Sequence, residues 1–218
     1  MVQGDQRDGS GTVARPYTPT SLNDTAGRVE LVVKDYPGVG NVSSHICGAK
    51  VGEYLSVKGC FPKIAVTKNK WKKVGMLAGG SGITPCLQVA EELLSHPEDT
   101  TEITLLFCNK DPGSVFLRDR IDALVTSSSG RFTAHYCVDR VGVESWNGPT
   151  GYITVDMVQR YLPAADGVNN MIMVCGPPPM YDVVCGPKLF EEGNPPKQGE
   201  VSGILKELGF TKETVFKF

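Results

Sequence analysis

The stretch that decides the fold is Val74-Gly-Met-Leu-Ala-Gly-Gly-Ser-Gly-Ile-Thr-Pro85. Its first residues have the length and apolar character of a buried strand, and glycines then lead directly into a helical pattern. We predict a helix with Thr84 as its N-cap and Pro85 as its first residue. Glycines let a ligand approach the backbone and a helix N-terminus attracts phosphate, although a purely structural turn is an equal alternative for such a motif alone.

Outward from this stretch, apolar runs of strand length alternate with helical patterns. The predicted strands are residues 74–78, 102–109, 132–138 and 170–175, and the predicted helices are 84–95, 116–125, 154–161 and one near the C-terminus. Such alternation is typical of a parallel sheet covered by helices. Residues 71–218 are therefore predicted to form an α/β domain.

Upstream of residue 71 the pattern is that of short strands and loops. Residues 28–35 and 53–58 alternate between apolar and polar side chains, with Gly and Pro around them, which predicts β-strands. Residues 1–14 are polar and Gly-rich with little to bury, so we expect a disordered tail. The predicted division is a tail at 1–14, a β domain at 15–70 and the α/β domain.

Composition excludes several classes of protein. The 218 residues carry 22 Lys and Arg against 24 Asp and Glu, so no strongly basic surface is expected for nucleic acid. The seven cysteines are widely spaced without a Cys-x-x-Cys pair, which argues against a metal site or a disulfide framework. No apolar run reaches the roughly 18–20 residues that span a bilayer.

Two further motifs carry chemistry. Cys175-Gly-Pro-Pro-Pro-Met180 follows a predicted strand directly, and open α/β sheets bind ligands at the carboxyl ends of their strands. Arg15-Pro-Tyr-Thr-Pro19, with Ser21 beyond it, places a cation, an aromatic ring and hydroxyls in one segment that would suit a flavin. Taken singly, a buried core cysteine and a surface turn are the competing interpretations.

In this order, the three motifs resemble those of the ferredoxin-reductase-like flavoproteins. The chain from Arg15 to Phe218 is most similar to the NADH–cytochrome b5 reductase family, also through Leu31-Val-Val-Lys-Asp-Tyr36 and the ending Leu208-Gly-Phe-Thr-Lys-Glu-Thr-Val-Phe-Lys-Phe218. The resemblance implies an antiparallel β-barrel FAD domain followed by an α/β parallel-sheet NAD-binding domain. Because only fourteen residues precede Arg15, we expect the barrel to be incomplete.

The resemblance also implies an activity. Hydride would pass from NADH to FAD, and single electrons would then pass to cytochrome b5 or a similar haem protein. We expect a cytoplasmic monomer, with membrane contact at the endoplasmic reticulum or outer mitochondrial membrane only through an upstream anchor.

For FAD, the family pattern assigns the diphosphate to Arg15, the isoalloxazine face to Tyr17 and the flavin ring edge to Thr18. The remaining expected FAD contacts are Ser21, Lys34, Tyr36, Gly40, Asn41, Val42 and Ser43. Val42 stands where the family has Met. Thr18 and Cys175 are the residues expected to act at the reacting rings.

For NADH, the family pattern places one wall on the glycine turn and the other on the Cys-Gly-Pro loop. The first wall comprises Gly79, Gly80, Ser81, Gly82 and Thr84, and the second comprises Cys175, Gly176, Pro177 and Met180. Cys175 would position the nicotinamide without acting as a nucleophile. Asp139 would accept a ribose 2′-hydroxyl and repel a 2′-phosphate, which favours NADH over NADPH; a solvated Asp139–Arg140 pair is the alternative.

Several alternatives stay open. A nucleotide-binding module without turnover would result if the incomplete barrel cannot hold FAD. The flavin domain of a nitrate-reductase-like protein would share the same motifs. Lys68-Asn-Lys-Trp-Lys-Lys73 could steer an acidic acceptor protein or be a solvated loop. Residues 216–218 are interpreted as a last sheet strand.

Overall fold

The computed structural model describes residues 1–5, 11–36, 38, 41–142, 145–165, 169–191 and 196–218, with the side chains of residues 5 and 41 left aside. The chain divides into two compact units, Met1–Ala65 and Val66–Phe218. The predicted division at residue 70 lies a few residues beyond this one. No helix in the described part of the chain is long and apolar enough to cross a membrane.

The first unit contains a small antiparallel sheet and one helix. Strand β1 (Val2–Asp5) pairs with β2 (Thr12–Arg15), and helix α1 (Asn41–Gly48) packs on both. Val2 and Val42 are each 2% exposed and form its small apolar centre. The hairpin corrects the prediction of a disordered tail at 1–14: strand pairing satisfies the backbone of a polar segment, and Val2 anchors it.

The two strands predicted in this unit are also corrected. Within residues 28–35 only Leu31 forms a bridge, to Pro19, and within residues 53–58 only Val57 does, to Val2. A backbone hydrogen bond of the kind found between paired strands is still present: the Thr20 N–H donates to the Glu30 backbone oxygen at 2.9 Å. Each segment pairs with another part of the same chain for only one or two residues. Its alternation of apolar and polar side chains therefore does not produce a continuous strand.

The second unit is a five-stranded parallel sheet with helices on both faces. The strands lie in the order β5-β4-β3-β6-β7. In chain order the elements are β3 (Lys73–Gly79), α2 (Ile83–Leu94), β4 (Glu102–Asn109), α3 (Arg118–Ser127), β5 (Phe132–Val138), α4 (Val155–Tyr161), β6 (Asn170–Cys175), α5 (Pro178–Val184), α6 (Gly203–Glu207) and β7 (Val215–Lys217). The alternation expected for residues 71–218 is confirmed, and the last sheet strand, expected at 216–218, is found at Val215–Lys217.

Two helix starts differ from expectation. Helix α2 begins at Ile83 with Gly82 as its N-cap, so the prediction of Thr84 as the cap is wrong. The Thr84 hydroxyl instead donates to the Ser81 oxygen at 3.2 Å. Helix α3 begins at Arg118, because Leu117 adopts a left-handed conformation with φ +58, which interrupts the helical pattern that starts at residue 116.

The sheet is buried on both faces. One face packs against α4, α5 and α6, through Leu77, Leu106, Ile172, Val174, Val158, Leu162, Tyr181, Val184 and Leu205. The alternate residues of the same strands, including Met76, Ala78 and Phe107, face the other way and are fully buried; α2 contacts β3 and β6 and covers this second face. Because all five strands are parallel, their carboxyl ends meet at one edge of the sheet.

An ion pair ties α2 to α3. The Arg120 guanidinium donates to both carboxylate oxygens of Glu91, from Nε at 2.6 Å and from Nη2 at 2.7 Å. Glu91 is only 8% exposed. A bidentate pair of this kind fixes the relative position of the two helices.

At the amino edge of the sheet, Asp99 organises the turn before β4. Its carboxylate accepts from the Asn69 N–H at 2.9 Å and the Thr101 N–H at 2.7 Å. Burial alone would raise the pKa of Asp99, but the hydrogen bonds from Thr101 and Asn69 and the nearby Arg131 guanidinium outweigh it and lower the pKa.

We expect Asp99→Asn to destabilise the protein by about 2 kcal/mol at neutral pH, because an amide NH₂ then faces one of these buried donors. A lowered folded pKa means that the carboxylate contributes fully above its ordinary value of 3.8 and loses that contribution as pH falls through the folded pKa. Urea unfolding at neutral and acidic pH should therefore show the wild-type advantage shrinking on acidification. The exposed Asp24→Asn serves as control, and an advantage that stays constant with pH would contradict the assignment.

Candidate functional site

The glycine turn after β3 lies at the carboxyl edge of the sheet. Gly80–Gly82 form one 3₁₀ turn between β3 and α2. Gly80 has φ +53, and a Cβ at this position would meet no described atom within 4 Å. Among the described residues, no side chain caps the N-terminus of α2. Open space therefore lies beside a positively polarised helix end, an arrangement that suits an anionic group.

The second loop packs directly against this turn. A Cβ on Gly82 would lie 2.1 Å from the Cys175 oxygen and 2.9 Å from the Gly176 nitrogen. On the other side, a Cβ on Gly176 would meet the Met180 sulfur at 2.4 Å. The backbones of the two predicted motifs approach as closely as glycine permits, so the two predicted walls are neighbours in the structure.

Cys175 ends β6 beside this contact and is half-buried. Burial raises the pKa of the Cys175 thiol, while the Tyr181 hydroxyl and the Lys188 ammonium act in the opposite direction. The net shift is upward, so the group remains a protonated thiol at neutral pH. A raised pKa does not suit a nucleophile, and the positioning role stays the prediction for Cys175.

Tyr181 and Lys188 form a network that the motifs did not reveal. The Tyr181 hydroxyl donates to the Phe218 oxygen at 2.9 Å, and the Lys188 ammonium donates to the same oxygen. Phe218 in turn donates its N–H to the Val174 oxygen at 3.0 Å. Phe218, which follows β7, is thus fastened beside Cys175. The available signal was a tyrosine six residues after Cys175, which sequence spacing alone did not distinguish from a core residue.

Asp139 lies at the same edge of the sheet, directly after β5. Its N–H donates to the Asn109 oxygen at 2.9 Å, and the Arg140 N–H donates to the Lys110 oxygen at 3.1 Å. The β4–β5 pairing therefore continues past the named strands and holds Asp139 in place. Its contact with a ribose stays a prediction.

In the first unit, the predicted flavin segment begins at Arg15, the last residue of β2. Burial raises the pKa of Tyr17, Cys47 adds to the rise and the Arg15 cation opposes it, which places the ring near both groups. Thr18 is half-buried. The Ser21 hydroxyl already accepts from the Glu30 N–H at 3.2 Å, so this hydroxyl also serves the local fold.

The other predicted flavin contacts gather around α1. The helix begins at Asn41, and Val42 and Ser43 in its first turn are 2% and 7% exposed. The Lys34 ammonium lies 5.5 Å from the centre of the Tyr36 ring. Gly40 and the Asn41 side chain lie outside the described residues, so their roles stay predictions.

The basic run at residues 68–73 lies before and at the start of β3, at the end of the sheet opposite the glycine turn. Lys68 pairs with Glu98, and Lys73 pairs with Glu102 at 2.8 Å. Two of its charges are thus offset locally, which supports the solvated-loop interpretation over docking of an acidic partner.

Comparison with known proteins identifies the family. The profile of the oxidoreductase NAD-binding domain matches residues 76–186, and that of the oxidoreductase FAD-binding domain matches residues 4–65. NADH-cytochrome b5 reductase 2 of Scheffersomyces stipitis is 43% identical over 206 residues, which cover 94% of this chain and 67% of that protein. The chain belongs to the NADH–cytochrome b5 reductase family.

Other reductases support this assignment. NADH-cytochrome b5 reductase 2 of Emericella nidulans is 44% identical over 97% of this chain, and the chain spans 64% of that relative. The crystal structure of the cytochrome b5 reductase domain of Ulva prolifera nitrate reductase superposes with a TM-score of 0.82 at 31% identity, covering 100% of this chain and 82% of that one. The predicted fold class, an antiparallel β domain followed by an α/β NAD-binding domain, is confirmed.

Proposed function

We propose that this chain is the flavin- and NADH-binding part of a reductase that takes hydride from NADH and delivers single electrons to a haem protein. The observation that carries the proposal is the backbone contact between Gly82 and Cys175–Gly176 at the carboxyl edge of the sheet. Open α/β sheets bind dinucleotides at the carboxyl ends of their strands, where these two loops meet, and this supports the proposal. Bound FAD would supply the conversion of one hydride into two single electrons.

For NADH, each wall has a separate task. The open space at Gly80 and the start of α2, which no described side chain caps, would receive the diphosphate. The protonated thiol of Cys175 would lie beside the nicotinamide and hold its orientation. Asp139 would accept from the adenosine ribose and disfavour a 2′-phosphate.

For FAD, the described residues of the first unit supply a matching set of groups. The Arg15 guanidinium would bind the diphosphate, the half-buried Tyr17 ring would lie against the isoalloxazine, and Thr18 would hydrogen-bond its edge. The backbone N–H groups at the start of α1 would add donors for the diphosphate. The Tyr17–Arg15 proximity is the structural feature that fits this set.

A nucleotide-binding module without turnover is the second candidate. Val51 and Tyr54 in the first unit are 107% and 98% exposed, so these apolar side chains add nothing to the packing of that unit. If these residues leave the first unit unable to retain FAD, only NADH binding would survive.

The acceptor and setting are further proposals. The relatives' names include cytochrome b5, and we propose cytochrome b5 or a similar haem protein as the acceptor. We propose a monomer working on the cytosolic side of the endoplasmic reticulum or outer mitochondrial membrane. A nitrate-reductase-like setting would use the same two units.

The test is a visible spectrum. The chain is mixed with FAD and desalted, and flavin bands are recorded before and after anaerobic addition of NADH or NADPH. We expect retained flavin that bleaches faster with NADH. A colourless folded protein that still binds NADH would support the module instead.

The same assay tests Asp139. We expect Asp139→Ser to raise the NADPH-to-NADH ratio of bleaching rates about tenfold, since removing a repelling carboxylate is worth roughly that factor. The exposed Asp156→Ser, in the first turn of α4, should leave the ratio unchanged. An unchanged ratio in Asp139→Ser would remove Asp139 from nucleotide selection.

A further inference from the structure

Asn109, the last residue of β4, has a buried side-chain nitrogen to which the described part of the chain offers no acceptor. The residue is 7% exposed. Its Nδ2 is buried and has no hydrogen-bond partner among the described residues. A buried amide donor without a partner is costly, and native structures keep such groups mainly where a function needs them.

Asn170 shows how the same residue type behaves in a structural role. It is 8% exposed, at the opposite edge of the sheet, and its Nδ2 donates to the Ala164 oxygen at 3.1 Å. The two asparagines are almost equally buried. The Nδ2 of Asn170 has a hydrogen-bond acceptor, whereas the Nδ2 of Asn109 has none in the described part of the chain.

The position of Asn109 identifies what it faces. Gly79, the last residue of β3, pairs with Cys108, so Asn109 lies one residue beyond the end of β3. By strand alternation it shares a face with Phe107, which is the face covered by α2. The 3₁₀ turn Gly80–Gly82 also contacts β4.

A second contact ties Asn109 to the same edge of the sheet. Its backbone oxygen accepts from the Asp139 N–H at 2.9 Å. Because β4 lies between β3 and β5 in the sheet, Asn109 stands between the glycine turn and Asp139, where acceptor oxygens of a dinucleotide would lie if the proposed function holds.

We infer that the Asn109 side-chain amide binds the adenosine-diphosphate half of NADH, donating from Nδ2 to a diphosphate or adjoining ribose oxygen. This inference rests on the proposed function. The amide would add an uncharged, directional donor beside the backbone N–H groups at the start of α2. Asn109 is thus a binding residue that the sequence motifs do not include.

The test uses Asn109→Leu, which keeps the number and branching of the side-chain heavy atoms and removes the polar group. Isothermal titration calorimetry should show the Kd for NADH rising about tenfold, the effect of one hydrogen bond to a charged group. The Kd for ADP-ribose should rise by the same factor, because the contact lies in the shared half. The melting temperature of the ligand-free protein should be unchanged or higher, because an unsatisfied buried donor is gone.

Asn170→Leu is the matched control. It should lower the melting temperature and leave the Kd for NADH unchanged, because its hydrogen bond is structural. Asn109→Asp provides a second variant: its carboxylate would repel the diphosphate, and we expect a larger loss of affinity than for Asn109→Leu.

The outcomes separate this inference from the proposed function. Wild-type protein that binds neither NADH nor ADP-ribose would overturn both. Wild-type binding with unchanged affinities in both Asn109 variants would overturn the role of Asn109 alone. A loss for NADH without a loss for ADP-ribose would also overturn it, since the contact would then belong to the nicotinamide half.

Discussion

Gly82→Ala is expected to weaken NADH binding about a hundredfold and to destabilise the second unit by about 2 kcal/mol. The backbone of Gly82 has φ −63, which alanine adopts readily, so conformational strain plays no part. The added Cβ would instead lie 2.1 Å from the Cys175 oxygen and 2.5 Å from its carbonyl carbon. Backbone atoms cannot rotate away, so the two loops must separate, and displacements near 1 Å in a binding site can cost this much.

The measurements are calorimetric titration with NADH and unfolding in urea. Gly142→Ala is the matched control, because a Cβ there meets no described atom within 4 Å, and both quantities should stay at their wild-type values. If Gly82→Ala bound NADH as tightly as Gly142→Ala, the close approach of the two loops would not be a feature of the binding site.

Arg120→Leu is expected to lower the free energy of unfolding by about 3 kcal/mol, because it leaves the carboxylate of Glu91 buried without its partner. The Glu91 side chain is 9% exposed, so water cannot replace the guanidinium effectively. Denaturant unfolding followed by circular dichroism measures the change.

Two variants complete this experiment. Arg28→Ala removes an arginine from a pair whose side chains are 70% and 50% exposed, and it should cost less than about 0.5 kcal/mol. The double variant Glu91→Leu/Arg120→Leu should recover most of the stability, because it removes the stranded charge. A double variant no better than Arg120→Leu would show that helix packing, and not the unpaired carboxylate, carries the loss.

The sequence predicted the second unit well because its signals are local. The pattern around Gly79–Gly82 has one geometric solution: a buried strand, a turn without side chains and a helix start. The Cys175 loop follows the same logic. The N-cap was misplaced by two residues because Thr84 is a common capping residue, whereas the bare backbone of Gly82 takes that position here.

The first unit was predicted less well because its pairing is not local. Val57 pairs with Val2, and Leu31 pairs with Pro19; whether such a contact extends into a strand depends on a partner distant in sequence. Half of the eight residues that pair in 2–5 and 12–15 are polar and none forms part of an apolar run, so hydrophobic patterning gave no indication of this pairing.

The residues missed in the site share one cause. Tyr181 and Lys188 converge on Phe218, and Asn109 becomes unusual only because no described group satisfies its buried amide. Neither fact is visible before the strands are placed in register. The glycine and Cys-Gly-Pro motifs show where two backbone segments must approach each other. They do not show which side chains outside the motifs the fold brings to that place.

The order of the strands has a consequence for synthesis on the ribosome. β3, at the centre of the sheet, is made early, yet its partner β6 begins only at Asn170, which pairs with Lys73. At about 5–20 residues per second, the apolar β3 waits on the order of ten seconds before that neighbour exists. The first unit, whose residues all precede Val66, can form during this interval. Nascent chains of this protein should therefore need protection by chaperones until β6 has emerged.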